Sequence, residues 1–147
     1  MKSIIIFILI GISINYRPEN AIAYARQYCR NYNRRYQFYP EDDKSGSFVS
    51  QCLVAGGLSF SEAKCYSIRQ GIIYGVSNLQ HCLQQIGWKK SYQITGDFKA
   101  GYPFFVSSSQ AMIATKVTQS SITYCSHTPD RCDSQIKPRS SFIYYYP

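Results

Sequence analysis

The order of the hydrophobic patterns along the chain most strongly limits its fold. Apolar residues spaced three and four apart predict three helices, over residues 17–36, 47–57 and 77–87. Short runs rich in β-branched and aromatic residues then predict strands over 103–107, 111–118, 120–126 and 140–146, with a hairpin turn at Gln119–Ser120. Helices followed by an antiparallel sheet predict an α+β domain, and the last run is expected to complete that sheet.

Each predicted helix carries its own boundary signals. Pro18 suits a first helical position, Ser77 or Asn78 can cap the third helix, and Gly56–Gly57 and Gly87 end the second and third. The residues predicted to face the core are Ala21, Ile22, Ala25, Tyr28, Cys29 and Tyr32, then Phe48, Val49, Cys52 and Leu53, then Leu79, Cys82, Leu83 and Ile86.

The N-terminal stretch MKSIIIFILIGISIN has the pattern of a secretory signal peptide. Lys2 precedes an apolar run from Ile4 to Ile10, and the small residues Gly11 and Ser13 follow. The run is too short for a membrane span, which needs about 20 apolar residues. We therefore expect a signal peptide over 1–14, a single secreted domain over 15–147, and no membrane span after signal removal.

Six cysteines in an exported chain predict up to three disulfides, with about fifteen possible pairings. Cys125 and Cys132 flank the turn SHTPDR, so this pair is the most plausible local bridge. No CxxC or HxxxH spacing indicates a zinc site, and nothing in the sequence suggests a cofactor. The disulfide candidates are Cys29, Cys52, Cys65, Cys82, Cys125 and Cys132.

The net charge is +8, or +7 once Lys2 leaves with the signal. A basic, tyrosine-rich patch around the first helix predicts binding to an acidic glycan or an acidic protein partner. Nucleic acid is not expected as the ligand of an exported protein. Alternatively, the arginines only solubilise the fold and pair with the acidic residues at 41–43. The predicted patch comprises Arg26, Arg30, Arg34, Arg35, Tyr32 and Tyr36.

Several segments resemble one known family when read in order. These are YRPENAIAYA, SFVSQCLVAGG, SNLQHCLQQIGW, TGDF, AMIATKVT and YCSHTPDR. Together they resemble the putative amidase domain family, a branch of the papain-like, NlpC-type cysteine hydrolases, over Tyr16 to Cys132. The resemblance implies a papain-like fold in which N-terminal helices pack on a C-terminal antiparallel sheet.

The resemblance also implies where the catalytic residues should lie. The family's cysteine falls on Ser45 and its strand histidine on Gln110, while the late histidine is present as His127. The aspartate before the cysteine falls on Lys44, and the threonine after it falls on Gly46. Papain-like chemistry needs a thiolate activated by histidine, whereas a serine hydroxyl needs an adjacent base and glutamine is not one.

The sequence therefore predicts a secreted, catalytically inactive amidase-like domain, a pseudoenzyme with a binding or structural role. One alternative is an active serine amidase or peptidase that uses Ser45 and His127, with Asp130 or Asp133 behind the imidazole. Another is a subunit of an extracellular coat or fibre, which would involve self-association. Cys52 is a weaker candidate nucleophile because it lies inside an apolar helix.

Overall fold

A computed structural model describes residues 15–37, 44–61 and 65–147, with only the backbone of Lys44. The expected signal peptide and the acidic segment 41–43 lie outside the described residues. The elements are α1 (Pro18–Tyr28), α2 (Lys44–Ala55), β1 (Ile68–Arg69), β2 (Ile72–Ile73), α3 (Val76–Gln85), β3 (Lys89–Ser91), β4 (Pro103–Ser107), β5 (Gln110–Val117), β6 (Ile122–Ser126), β7 (Arg131–Ile136) and β8 (Ile143–Tyr146). Within these ranges, no helix is both long and apolar enough to cross a membrane.

The main sheet has six antiparallel strands in the order β3-β8-β4-β5-β6-β7. Helices that precede an antiparallel sheet confirm the predicted α+β class. The C-terminal strand β8 pairs with both β3 and β4, so the tail does complete its own sheet. The predicted hairpin also forms, because β5 pairs with β6 and the Thr118 N–H donates to the Ser121 carbonyl at 2.9 Å.

The sheet separates two apolar cores, because side chains alternate between its faces. The helices cover one face, where they pack against Phe105, Ala111, Ile113, Cys125 and Tyr145. On the opposite face the second core is built from Phe98, Phe104, Met112, Ala114, Ile122, Tyr124, Phe142 and Tyr144. Of the residues predicted to face the core from the helices, Phe48, Val49, Cys52, Leu53, Leu79, Cys82 and Leu83 are fully buried.

Three helix boundaries differ from prediction. Helix α1 ends at Tyr28, eight residues early, and Tyr32 lies beyond it. Helix α2 begins at Lys44, which places Ser45 in its first turn. Helix α3 has Gly75 as its N-cap residue with φ +95°, and Asn78 donates to the Tyr74 carbonyl at 3.0 Å instead of capping. Glycine meets this positive φ without strain.

The predicted Cys125–Cys132 bridge is wrong. The disulfides join Cys29 to Cys132, with 5.5 Å between Cα atoms, and Cys65 to Cys82, with 5.0 Å. Cys125 is fully buried in the helix-side core, whereas Cys132 on the edge strand β7 is partly exposed and bonds α1. Cys132 thus forms a disulfide with a residue 103 positions away, whereas the local spacing had suggested a partner within the same turn.

Cys52 and Cys125 were also disulfide candidates, and both are free, buried thiols. Burial raises the pKa of the Cys52 thiol well above its ordinary value and also raises that of Cys125. A buried thiol held protonated is a poor nucleophile, because the thiolate is the reactive form. The Cys52 side chain therefore packs in the core, and its burial argues against Cys52 as an alternative nucleophile.

Candidate functional site

Ser45 joins the first turn of α2 to the start of β5. Its side chain is 1% exposed, and its Oγ accepts a hydrogen bond from the Ala111 N–H at 3.1 Å. The same hydroxyl donates to the Ser109 carbonyl at 3.4 Å. Because these two groups flank Gln110 in the backbone, positions 45 and 110 lie together, as the family resemblance implied. The hydroxyl itself holds the helix to the strand.

The side chain of Gln110 points to the face of β5 that lies away from the helices. Ala111 belongs to the helix-side core, whereas Gln110 lines a surface groove together with Met112 and Tyr124 of the other face. Its Nε2 donates to the Thr128 carbonyl at 3.5 Å, a long hydrogen bond. The backbone of position 110 thus adjoins Ser45, while its carboxamide extends toward the opposite side of the sheet.

His127 is held between two aromatic rings. It is 4% exposed, and its ring centroid lies 3.9 Å from that of Tyr32 and 3.9 Å from that of Phe48, at angles of 13° and 22°. Its Nε2 lies 2.8 Å from the Tyr28 carbonyl oxygen. A carbonyl oxygen only accepts, so Nε2 carries the proton in this contact. Since Tyr28 ends α1, the imidazole satisfies one of the helix's last carbonyls.

The two aspartates considered as partners of His127 bond other groups. Asp130 accepts a hydrogen bond from the Tyr32 hydroxyl at 2.9 Å, and burial together with this bond raises the pKa of Tyr32 to about 12. Asp133 accepts from Thr115 Oγ1 at 2.7 Å and forms an ion pair with Arg26 at 3.1 Å. Asp130 thus links the β6–β7 turn to the segment after α1, and Asp133 links β7 to α1 and β5.

Gly46 lets α2 approach α3 closely. A Cβ at this position would lie 2.7 Å from the Gly75 carbonyl carbon and 2.8 Å from the Val76 nitrogen. Both are backbone atoms, so a side chain here would force the two helices apart. The threonine that the family pattern carries at this place therefore does not fit the present packing.

The predicted basic patch is divided by the structure. Arg26 is paired with Asp133, and Tyr32 packs on His127, so both belong to the contact between α1 and the β6–β7 turn. The side chains of Arg30, Arg34 and Arg35 are exposed, and Tyr36 is half-buried. Within the predicted patch, the described arginines that lie outside this contact are therefore Arg30, Arg34 and Arg35.

The sequence did not predict two surface grooves. One, of about 350 Å³, lies on the face away from the helices and includes Gln110, Arg131 and Arg139. The other, of about 490 Å³, lies between α3 and the ends of β4 and β8. Both include Ser107 and Ser141. Their lining residues come from elements that lie far apart in the chain. In the sequence, the local features that point to these grooves are the serine run 107–109 and the arginines Arg131 and Arg139.

No group of three or more His, Cys, Asp or Glu side chains in the described part of the chain is placed to hold a metal ion. The family model of the putative amidase domain matches residues 15–122, from the residues before α1 to the start of β6. The matched region includes Ser45 and Gln110. Neither the curated proteins nor the solved structures contain a match to this chain. The family match covers most of the sequence, and the chain therefore belongs to the putative amidase domain family.

Proposed function

We propose that this protein is a secreted, catalytically inactive amidase-like domain that acts by binding. The observation that carries the proposal is the buried Ser45 hydroxyl, whose Oγ accepts the Ala111 N–H at 3.1 Å. A nucleophile must be reachable by substrate and must lie within hydrogen-bond reach of a base. Ser45 instead occupies the nucleophile's place as a link between α2 and β5.

The remaining residues of the site support the same proposal. Gln110 cannot accept a proton near neutral pH. His127 donates its Nε2 proton to the Tyr28 carbonyl and is packed between Tyr32 and Phe48. To serve Ser45 as a base, the imidazole would have to give up a role in the core. This geometry favours the inactive domain over a serine amidase that uses Ser45 and His127.

Secretion and partner class are part of the proposal. The signal-peptide pattern of residues 1–14 and two disulfides are typical of an exported protein. The net charge of +8 favours an acidic glycan or acidic protein as the partner. Arg30, Arg34 and Arg35 are one candidate contact surface for such a partner. No specific observation favours a coat or fibre subunit.

Hydrolysis assays with a matched variant test the loss of catalysis. The purified protein is incubated with a panel of peptide amides, N-acyl amino acids and activated esters, alongside Ser45→Ala. We expect both proteins to give the rate of the buffer blank, because the Ser45 hydroxyl is buried and accepts the Ala111 N–H, and Gln110 is not a base. Turnover by the wild type that Ser45→Ala abolishes would contradict the proposal.

A further inference from the structure

We propose that the two grooves form one binding site for an acidic oligosaccharide. The basic groove, which contains Arg131 and Arg139, would hold a sugar carboxylate, and the neutral groove beside α3 would hold the uncharged sugar units next to it. The grooves share Ser107 and Ser141 along their border, so one ligand can occupy both. This inference deepens the proposed binding role and rests on it.

Charge is the first argument for the basic groove. Arg131 and Arg139 line it, both side chains are exposed, and no carboxylate side chain of the described residues lines it. Among the described residues the ion pair is that of Arg26 with Asp133, so neither groove arginine is neutralised by an acid. Guanidinium groups bind carboxylates through two parallel hydrogen bonds. An incoming carboxylate would gain these bonds and would compete, among the described contacts, with the long hydrogen bond of 3.4 Å from Arg131 Nη1 to the Asp130 carbonyl.

The floor of the basic groove suits the body of a sugar. Met112, Tyr124 and Phe142 belong to the second core and give it an apolar base, against which the C–H face of a sugar ring can pack. Gln110 and Ser126 add polar groups at the same level. Because the hydrogen bond from Gln110 to Thr128 is 3.5 Å long, the carboxamide can turn toward a ligand at little cost.

The neutral groove offers uncharged hydrogen-bonding groups. Gln80, Gln84 and Ser108 line it, and His81 lies at its α3 side. Tyr66 packs on His81 with ring centroids 5.0 Å apart, yet it is 65% exposed. An exposed aromatic face beside carboxamides and hydroxyls suits a sugar better than an acidic peptide, whose further carboxylates would meet no lysine or arginine among the described residues that line this groove.

Titration calorimetry at low salt tests the site with defined probes. The secreted protein is titrated with tetragalacturonate and with its methyl ester, which is the same sugar without charge. We expect the acid to bind and the ester to bind about tenfold more weakly or worse. Arg131→Gln with Arg139→Gln should weaken binding of the acid by about tenfold or more, because charge-assisted bonds are lost.

The control variant carries Lys89→Gln and Lys90→Gln, which removes the same charge from the exposed edge strand β3, away from both grooves and from the arginines near α1. It should weaken binding by less than about threefold, since only the long-range field changes. Tyr66→Ala should weaken binding several-fold, with circular dichroism and melting temperature unchanged.

Three results would overturn the assignment. The first is the absence of tetragalacturonate binding. The second is an equal loss in the double arginine variant and in the double lysine control, which would indicate a diffuse basic surface. The third is tetraglutamate binding as tightly as the sugar, which would make the ligand an acidic peptide. None of these results bears on the hydrolysis assay with Ser45→Ala, so failure of the groove and failure of the inactive assignment are distinguishable.

Discussion

Replacing Cys29 and Cys132 with serine is expected to lower the free energy of unfolding by about 2–5 kcal/mol. The bridge joins residues 103 positions apart, so its removal frees almost the whole domain in the unfolded state. It also ties the end of α1 to the edge strand β7. In the chain-entropy account, a closed loop of about 100 residues contributes about 4.7 kcal/mol.

The matched control is the double variant Cys65→Ser with Cys82→Ser. These residues lie 17 positions apart, and a loop of that order contributes about 3 kcal/mol. Urea unfolding of the wild type and both variants should therefore place the Cys29–Cys132 variant as the less stable. A Cys29–Cys132 variant as stable as the wild type, or peptide mapping that finds Cys125 bonded to Cys132, would contradict the pairing.

His127→Ala is expected to destabilise the protein by about 3–5 kcal/mol. The substitution removes a buried ring from between Tyr32 and Phe48, and large-to-small changes in a core cost about this much. It also leaves the Tyr28 carbonyl without its hydrogen bond at 2.8 Å. The loss of this hydrogen bond accounts for about 1–3 kcal/mol of the total where water does not reach the carbonyl.

His127→Phe separates the two contributions. Phenylalanine keeps an aromatic ring in the stack but cannot donate to Tyr28, so its loss should be about 1–3 kcal/mol, smaller than that of alanine. Denaturant unfolding of both variants gives the comparison. If His127→Ala changed stability by less than about 0.5 kcal/mol, the imidazole would have no structural role, and its assignment as a packing residue would fail.

The elements that sequence predicted best are those whose pattern comes from burial. Strand β4 matches its prediction from Pro103 to Ser107, because four of these residues are apolar and the first three are buried. Strands β3 and β7 were missed because both lie at the edges of the sheet. Edge strands carry charged and polar side chains. KKS is wholly polar, and RCDSQI alternates in exposure but carries few apolar residues on its half-buried side.

The end of α1 was misplaced for a different reason. Tyr32 continues the helical spacing of apolar residues, but its ring packs on His127, which is 95 positions away in the sequence. The position of Tyr32 therefore matches the periodicity of a helix face, although its burial comes from a tertiary contact. Local pattern also chose Cys125 as the partner of Cys132, although α1 brings Cys29 to that strand edge.

The family resemblance indicated which positions belong to the candidate site, but it did not indicate how their side chains are arranged. Resemblance to the family singled out Ser45, Gln110 and His127, and the structure brings the first two together through the Ala111 N–H and the Ser109 carbonyl. The direction of the Gln110 side chain and the stacking of His127 depend on packing between distant elements. The spacing of residues in the sequence predicts neither the side-chain direction of Gln110 nor the stacking of His127.

The most direct test of lost catalysis is labelling by a serine-directed fluorophosphonate, followed by intact-mass and peptide mass spectrometry. The account predicts that the native protein gains no label at Ser45, because the hydroxyl is buried and bonded to the Ala111 N–H, and Gln110 cannot act as its base. Trypsin labelled in the same tube shows that the reagent is active. Stoichiometric labelling of Ser45 in the native protein would contradict the account.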